Sequence, residues 1–127
     1  MKILHLTLKK KWFDMILSGE KKEEYREIKP YWFRRLVYTS GRLDLDLWCR
    51  RFQKESPWTV LEDLLGTGSS FHLDVPGQIV FRNGYASDAP EMTVACAGLG
   101  IGQGNSAWGA PDRPVFIFKL GDIIETK

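Results

Sequence analysis

Apolar and polar residues alternate from the start of the chain. Ile3-Leu4-His5-Leu6-Thr7-Leu8 reads as a strand with Leu4, Leu6 and Leu8 on one face. Ile3, His5 and Thr7 share the other, and His5 is expected as a satisfied core or barrel histidine. The period then changes. Trp12, Phe13, Ile16 and Leu17 fall at helical spacing within 9–18, leaving Lys9, Lys10, Lys11 and Asp14 to solvent. Gly19 stands where a left-handed C-terminal cap belongs. Lys21 lies just beyond, at the negative end of the helix dipole.

The next run, Lys22 to Ile28, is strand-like but carries charge on both faces. If extended, it puts Lys22, Glu24, Arg26 and Ile28 on one face and Glu23, Tyr25 and Glu27 on the other. Ile28 points the first face inward. Glu24 and Arg26 are then expected as an ionic pair near or inside a core, which is costly unless paired or functional. Pro30 suits a first helical position and predicts a short helix over 31–38, broken by Thr39-Ser40-Gly41. Residues 43–47 alternate like a strand whereas 48–54 look like an amphipathic helix, so both readings stay open. Ser56-Pro57 predicts a helix start, with Trp58, Leu61, Leu64 and Leu65 on one face and Gly66 at its end. Residues 66–70 read as a flexible link.

Strands follow at 78–82, 92–97 and 115–120. The glycine-rich 98–104 has no Walker lysine and no long helix after it, so it reads as a bent strand with bulges and not as a phosphate loop. Trp108-Gly109-Ala110-Pro111 reads as a loop, and Gly121-Asp122 as a turn into a short terminal segment. The sum is one α+β domain over 1–127. It is a small, partly closed β-barrel of five to six mostly antiparallel strands with two to four short helices around it.

Composition sharpens this picture. A chain of 127 residues can bury a self-sufficient core. Five Trp, four Tyr and seven Phe are many for that length; they suit a core, with one or two free to stack on bases. Charge is uneven. Residues 1–54 hold 14 Lys/Arg against 7 Asp/Glu, net +7, and residues 55–127 hold 4 against 9, net −5. A basic half fits an anionic partner, although the pI of about 8.6 stays below the roughly 9 common for nucleic-acid binders. Cys49 and Cys96 lack CxxC spacing and read as reduced thiols of a cytoplasmic protein. His5 and His72 are isolated, so no metal ligand set is predicted, and no cofactor is implied. No apolar run is long enough to span a membrane, and 1–8 lacks the features of a signal peptide.

Gly19-Glu20-Lys21-Lys22-Glu23-Glu24-Tyr25-Arg26 resembles the Gly-x-Lys-x-x-Glu-x-Arg pattern of the ASCH domain, a family of the PUA-like superfamily of small β-barrels. The setting is similar to phage and bacterial ASCH proteins: Leu6-Thr7-Leu8, Trp12-Phe13, Lys29-Pro30-Tyr31-Trp32, Phe81-Arg82-Asn83-Gly84-Tyr85, Asp88-Ala89-Pro90, Gly100 to Gly104 and Trp108-Gly109-Ala110. The resemblance covers most of the chain. Residues 39–70 depart from it as a variable helical segment, and Ala107 stands where the close group often has an acidic residue.

The resemblance implies an RNA- or nucleotide-binding cleft beside the motif. Lys21, Arg26 and Lys9 would contact phosphate or a base edge. Tyr25, Tyr85 or Trp108 would stack, Asn83 belongs to the same downstream block, and Glu24 would orient Arg26 or accept from a base amino group. Some family members are amidohydrolases of N4-acetylcytidine, and one is a reported ribonuclease. In the amidohydrolase branch a lysine at the position of Lys21 works with a threonine, here Glu24, and a distant glutamate, for which Asp74 is the candidate. A carboxylate changes that chemistry, so the alternative is a metal-independent hydrolase with Glu24 as general base and Lys21 stabilising an oxyanion. A third reading is a protein-interaction module presenting the acidic half and the 39–70 helices.

Overall fold

The computed structural model describes residues 2–39, 44–67 and 71–127. Among these are four α-helices and seven strands, an α+β chain. Five strands form one mixed sheet in the order β1-β5-β6-β7-β2, and β3 and β4 form a second. These are β1 (Ile3–Leu8), β2 (Glu23–Glu27), β3 (Val37–Thr39), β4 (Phe71–Leu73), β5 (Gln78–Asn83), β6 (Glu91–Gly102) and β7 (Val115–Thr126). The pairing of β1 with β5 is parallel and that of β5 with β6 antiparallel. Contacts divide the chain into two compact units.

The first unit comprises Met1–Glu24, Val75–Leu99 and Phe118–Lys127. Leu4, Leu6 and Leu8 are buried, as their alternation predicts. Ile3 is 46% exposed and His5 is also exposed, so the expected core histidine lies on an uncovered face of β1. Helix α1 (Lys10–Leu17) buries Phe13 and Ile16 but leaves Leu17 exposed, a narrower stripe than its sequence suggests. Gly19 adopts φ +85° and its N–H donates to Ile16 O at 3.0 Å, closing the helix as expected. The predicted turn at Gly121 is absent, for β7 runs through it. A Cβ there would lie 3.3 Å from Ala95 O, so this glycine permits a close strand approach.

The second unit comprises Tyr25–Asp74 and Gly100–Ile117. Helix α2 (Pro30–Leu36) begins at its proline and stops earlier than expected. Val37 and Tyr38 pair instead with Leu73 and His72 across β3 and β4. Helix α3 (Leu45–Lys54) resolves the ambiguous stretch from Asp44 onward, residue 43 and the expected break at Ser40-Gly41 lying outside the described residues: the Asp44 carboxylate accepts the Leu47 N–H at 3.1 Å, an N-cap. In α4 (Pro57–Leu65) the buried residues are Val60, Leu61 and Leu64. Trp58 and Leu65, expected on that face, are exposed, because the buried stripe follows i, i+1, i+4 and is centred one residue earlier. Gly66 and Thr67 form a turn, and the rest of the expected link lies outside the described residues. The Phe33 ring centroid is 6.2 Å from that of Phe52 and 6.3 Å from that of Phe116, so aromatic packing centres this unit. The glycines at 98, 100 and 102 continue β6 without a positive φ.

Candidate functional site

The charged motif begins where α1 ends. The Lys21 N–H donates to Met15 O at 2.9 Å, which holds the chain against the last turn of the helix. Its side chain then turns inward, and Lys21 is only 1% exposed. The ammonium Nζ lies 3.0 Å from Glu24 Oε1, donates to Glu23 O at 2.5 Å, and stands 5.4 Å from the Trp12 ring centroid. Glu24 is 5% exposed. Taking two charges out of water costs several kcal/mol per ion before their attraction offsets it. A position selected for packing alone would be apolar, so the pair is a candidate for chemistry or recognition. The sequence pattern names Arg26 as the ionic partner of Glu24; the structure sets the Lys21 ammonium beside it. Ile28 is buried as the alternation predicts, but Lys22 is exposed and Tyr25 is buried on the opposite parity, so the run has no single inward face.

A cavity of about 190 Å³ adjoins this pair within the first unit. Its lining includes Gly19, Lys21, Lys22, Val94 and Asp122. Pockets for drug-sized ligands run from about 300 Å³ upward. This one suits a fragment on the scale of a base or a phosphate, and its lining mixes Lys21, Lys22 and Asp122 with apolar residues.

The second unit uses the next motif residues differently. The Tyr25 hydroxyl accepts the Asn105 N–H at 2.9 Å, and its ring packs with Ala110, Val115 and Ile117. Its expected role as a stacking surface is not met, because the ring is enclosed in that cluster. Gly104 makes the enclosure tight, since a Cβ there would sit 2.5 Å from Tyr25 Cε1. Trp108 packs on the same cluster and is half-buried, so Tyr25 and Trp108 are brought together as predicted residues but as packing partners. The Arg26 guanidinium donates to Tyr25 O at 2.7 Å and stands 5.6 Å from the Trp32 ring centroid, half-exposed. Asp74, the candidate distant acid, belongs to this unit and is half-buried, with its N–H on Leu36 O at 2.8 Å.

Lys9, Asn83 and Tyr85 lie elsewhere in the first unit. Leu8 pairs with Asn83, which places Lys9 and Asn83 at one end of the β1–β5 pair. Lys9 is separated from Lys21 by all eight residues of α1, about 12 Å of helix. Tyr85 is 91% exposed in the loop that follows. Sequence reasoning missed Trp12, Trp32 and Asn105. The first two carry their only signal as aromatics flanking the motif, and Asn105 carries none.

Cys49 and Cys96 are free, and burial pushes both thiols up. Among the described residues no group of three or more His, Cys, Asp or Glu could hold a metal ion, and no helix is long and apolar enough to cross a membrane. No family model, curated protein or solved structure matches the chain.

Proposed function

We propose that this chain is an ASCH-type module of the PUA-like superfamily that binds RNA or a nucleotide. The observation that carries the reading is the buried Lys21–Glu24 pair, set within the Gly-x-Lys-x-x-Glu-x-Arg pattern beside a cavity of fragment size. The α+β content and the five-stranded mixed sheet are compatible with a small barrel of that superfamily. A preorganised ammonium can meet a phosphate or a base carbonyl, and a neighbouring carboxylate can accept from a base amino group. The net +7 of residues 1–54 adds attraction for a polyanion. The test is binding of a fluorescent oligoribonucleotide to the wild type, Lys21→Ala and Arg26→Ala, with folding followed by circular dichroism. Affinity falls in both folded variants; unchanged affinity in both would refute the assignment.

The same pair supports a second reading, a metal-independent hydrolase of an N-acylated nucleoside or of RNA. Lys21 is a lining residue of the cavity and its buried ammonium lies 3.0 Å from Glu24, so an oxyanion stabiliser and a base candidate stand side by side. Mass spectrometry after incubation with acylated cytidines and short RNAs separates the two. Products that vanish in Glu24→Gln while binding persists assign an enzyme, and intact substrates assign a binding module.

A further inference from the structure

Four side chains of the second unit form a cation–aromatic ladder, of which the motif accounts for Arg26 alone. Arg26 lies over the Trp32 ring, with its guanidinium carbon 5.6 Å from the centroid. Trp32 meets Tyr31 edge to face at 4.7 Å between centroids. Arg35 covers Tyr31 at 3.4 Å from guanidinium carbon to centroid and donates to Tyr31 O at 2.8 Å. Three of the four belong to α2, so the helix sets their spacing. The i, i+4 relation of Tyr31 and Arg35 makes them neighbours on its surface.

The chemistry of this surface is specific. Tyr31 is 56% exposed, Arg35 is exposed, and Trp32 is half-exposed. Two neighbouring aromatics on one exposed helix surface form a small patch of the kind that marks interaction sites when it is rimmed by polar groups. Each ring is held by a guanidinium, which is planar, weakly hydrated and able to stack or to bind phosphate bidentately. Planar π-faces interleaved with fixed cations match single-stranded nucleic acid, whose bases stack and whose backbone carries the opposite charge. A duplex hides its base faces, and a lipid surface offers none.

We propose that the Arg26–Trp32–Tyr31–Arg35 ladder is the docking surface for single-stranded RNA, with bases stacking on Tyr31 and Trp32 and the guanidinia taking phosphates. The proposal rests on the RNA-binding reading above and names where, and by which contacts, the strand is held. Tyr31 and Arg35 lie outside the motif, so the two can fail separately.

The experiment compares a short oligo(U) with an abasic oligomer of the same length, by fluorescence anisotropy, on the full chain. The wild type binds oligo(U) about tenfold or more tightly than the abasic strand, as expected for at least one stacked base. Tyr31→Ala removes most of that preference while leaving abasic binding unchanged, and Tyr31→Phe restores it. Arg35→Lys keeps the charge and loses the planar stack, so it weakens oligo(U) more than the abasic strand. Lys54→Ala, an exposed charge on α3, is the control for net charge and leaves the preference intact. Equal wild-type affinity for the two strands, or full preference retained in Tyr31→Ala, overturns the ladder while leaving RNA binding standing. No wild-type binding to either strand overturns the ladder together with RNA binding, and leaves only the nucleotide half of that reading. Binding of an acidic peptide in place of oligo(U), lost in Tyr31→Ala, would give the surface to a protein and overturn the proposal.

Discussion

Lys21 in the first unit and Arg26 in the second belong to one short motif, yet their charges are met in different ways. Lys21 is enclosed, its ammonium fixed by a carboxylate and a carbonyl oxygen. Arg26 stays half-exposed and lies over an indole. The difference follows from chemistry. A compact ammonium is strongly hydrated and can be buried only against full charge and hydrogen-bond compensation. A guanidinium is delocalised and tolerates a flat apolar neighbour with water still on its edges. The first arrangement suits fixed, local recognition at a small cavity; the second suits a face that a larger ligand can lie on.

The largest expected effects test the enclosed pair. Glu24→Ala takes the carboxylate from a buried ammonium and lowers unfolding free energy by about 3–5 kcal/mol, as urea denaturation would show. The double variant Lys21→Met with Glu24→Leu removes both charges and returns to within about 1–2 kcal/mol of wild type or exceeds it, since apolar replacement of a buried pair is often neutral or stabilising. If the double variant is stable yet no longer binds RNA, the pair serves recognition. A stable double variant with full binding would make it structural.

A smaller effect probes the second unit. Gly104→Ala forces a methyl group to 2.5 Å from Tyr25 and 2.6 Å from Ala110 Cβ, costing about 1–3 kcal/mol by overpacking. A thermal melt that matches wild type would show that the Tyr25 enclosure is loose. Tyr25→Phe removes the hydrogen bond to the Asn105 N–H and costs about 1 kcal/mol, measurable by urea titration against wild type. It should leave the oligo(U) preference intact, because Tyr25 is packed inside and takes no part in stacking.

The smallest effect concerns pH. Burial pushes the Cys49 thiol up, with Arg34 opposing the shift. A raised folded value favours the neutral thiol, so this contribution to stability is complete below the unfolded value and fades as pH rises through the folded one. Cys49 therefore reacts with a thiol reagent more slowly in the folded protein than in denaturant at mildly alkaline pH. Equal rates in the two states would show that the thiol is neither shielded nor shifted.

Local pattern was legible wherever one face or one cap decides the structure. The alternation of Leu4, Leu6 and Leu8 and the Gly19 cap stand as read, and the fourth helix starts at Pro57 as expected, although the Ser56 side chain makes no cap hydrogen bond. The parallel pairing of β1 with β5 was not legible, because no local signal reports a partner more than seventy residues away. The three-residue strands β3 and β4 are too short for a period to show. Residues 43–47 looked extended because leucine alternates with aspartate; the Asp44 side chain decides the matter by capping a helix. Gly121 signalled a turn, but its missing side chain serves a strand contact. In the site, the motif was visible and its burial was not. Lysine is the residue least expected to be fully enclosed, and only the neighbours that compensate it make that placement legible.

The central claim, RNA or nucleotide binding, is tested most directly by titrating wild-type protein into labelled oligo(U) at two salt concentrations. Binding is expected to be saturable and to weaken as salt rises, with the slope reporting the phosphates neutralised. No saturable binding to oligo(U), or to a nucleotide in the same assay, at the lower salt concentration would contradict it.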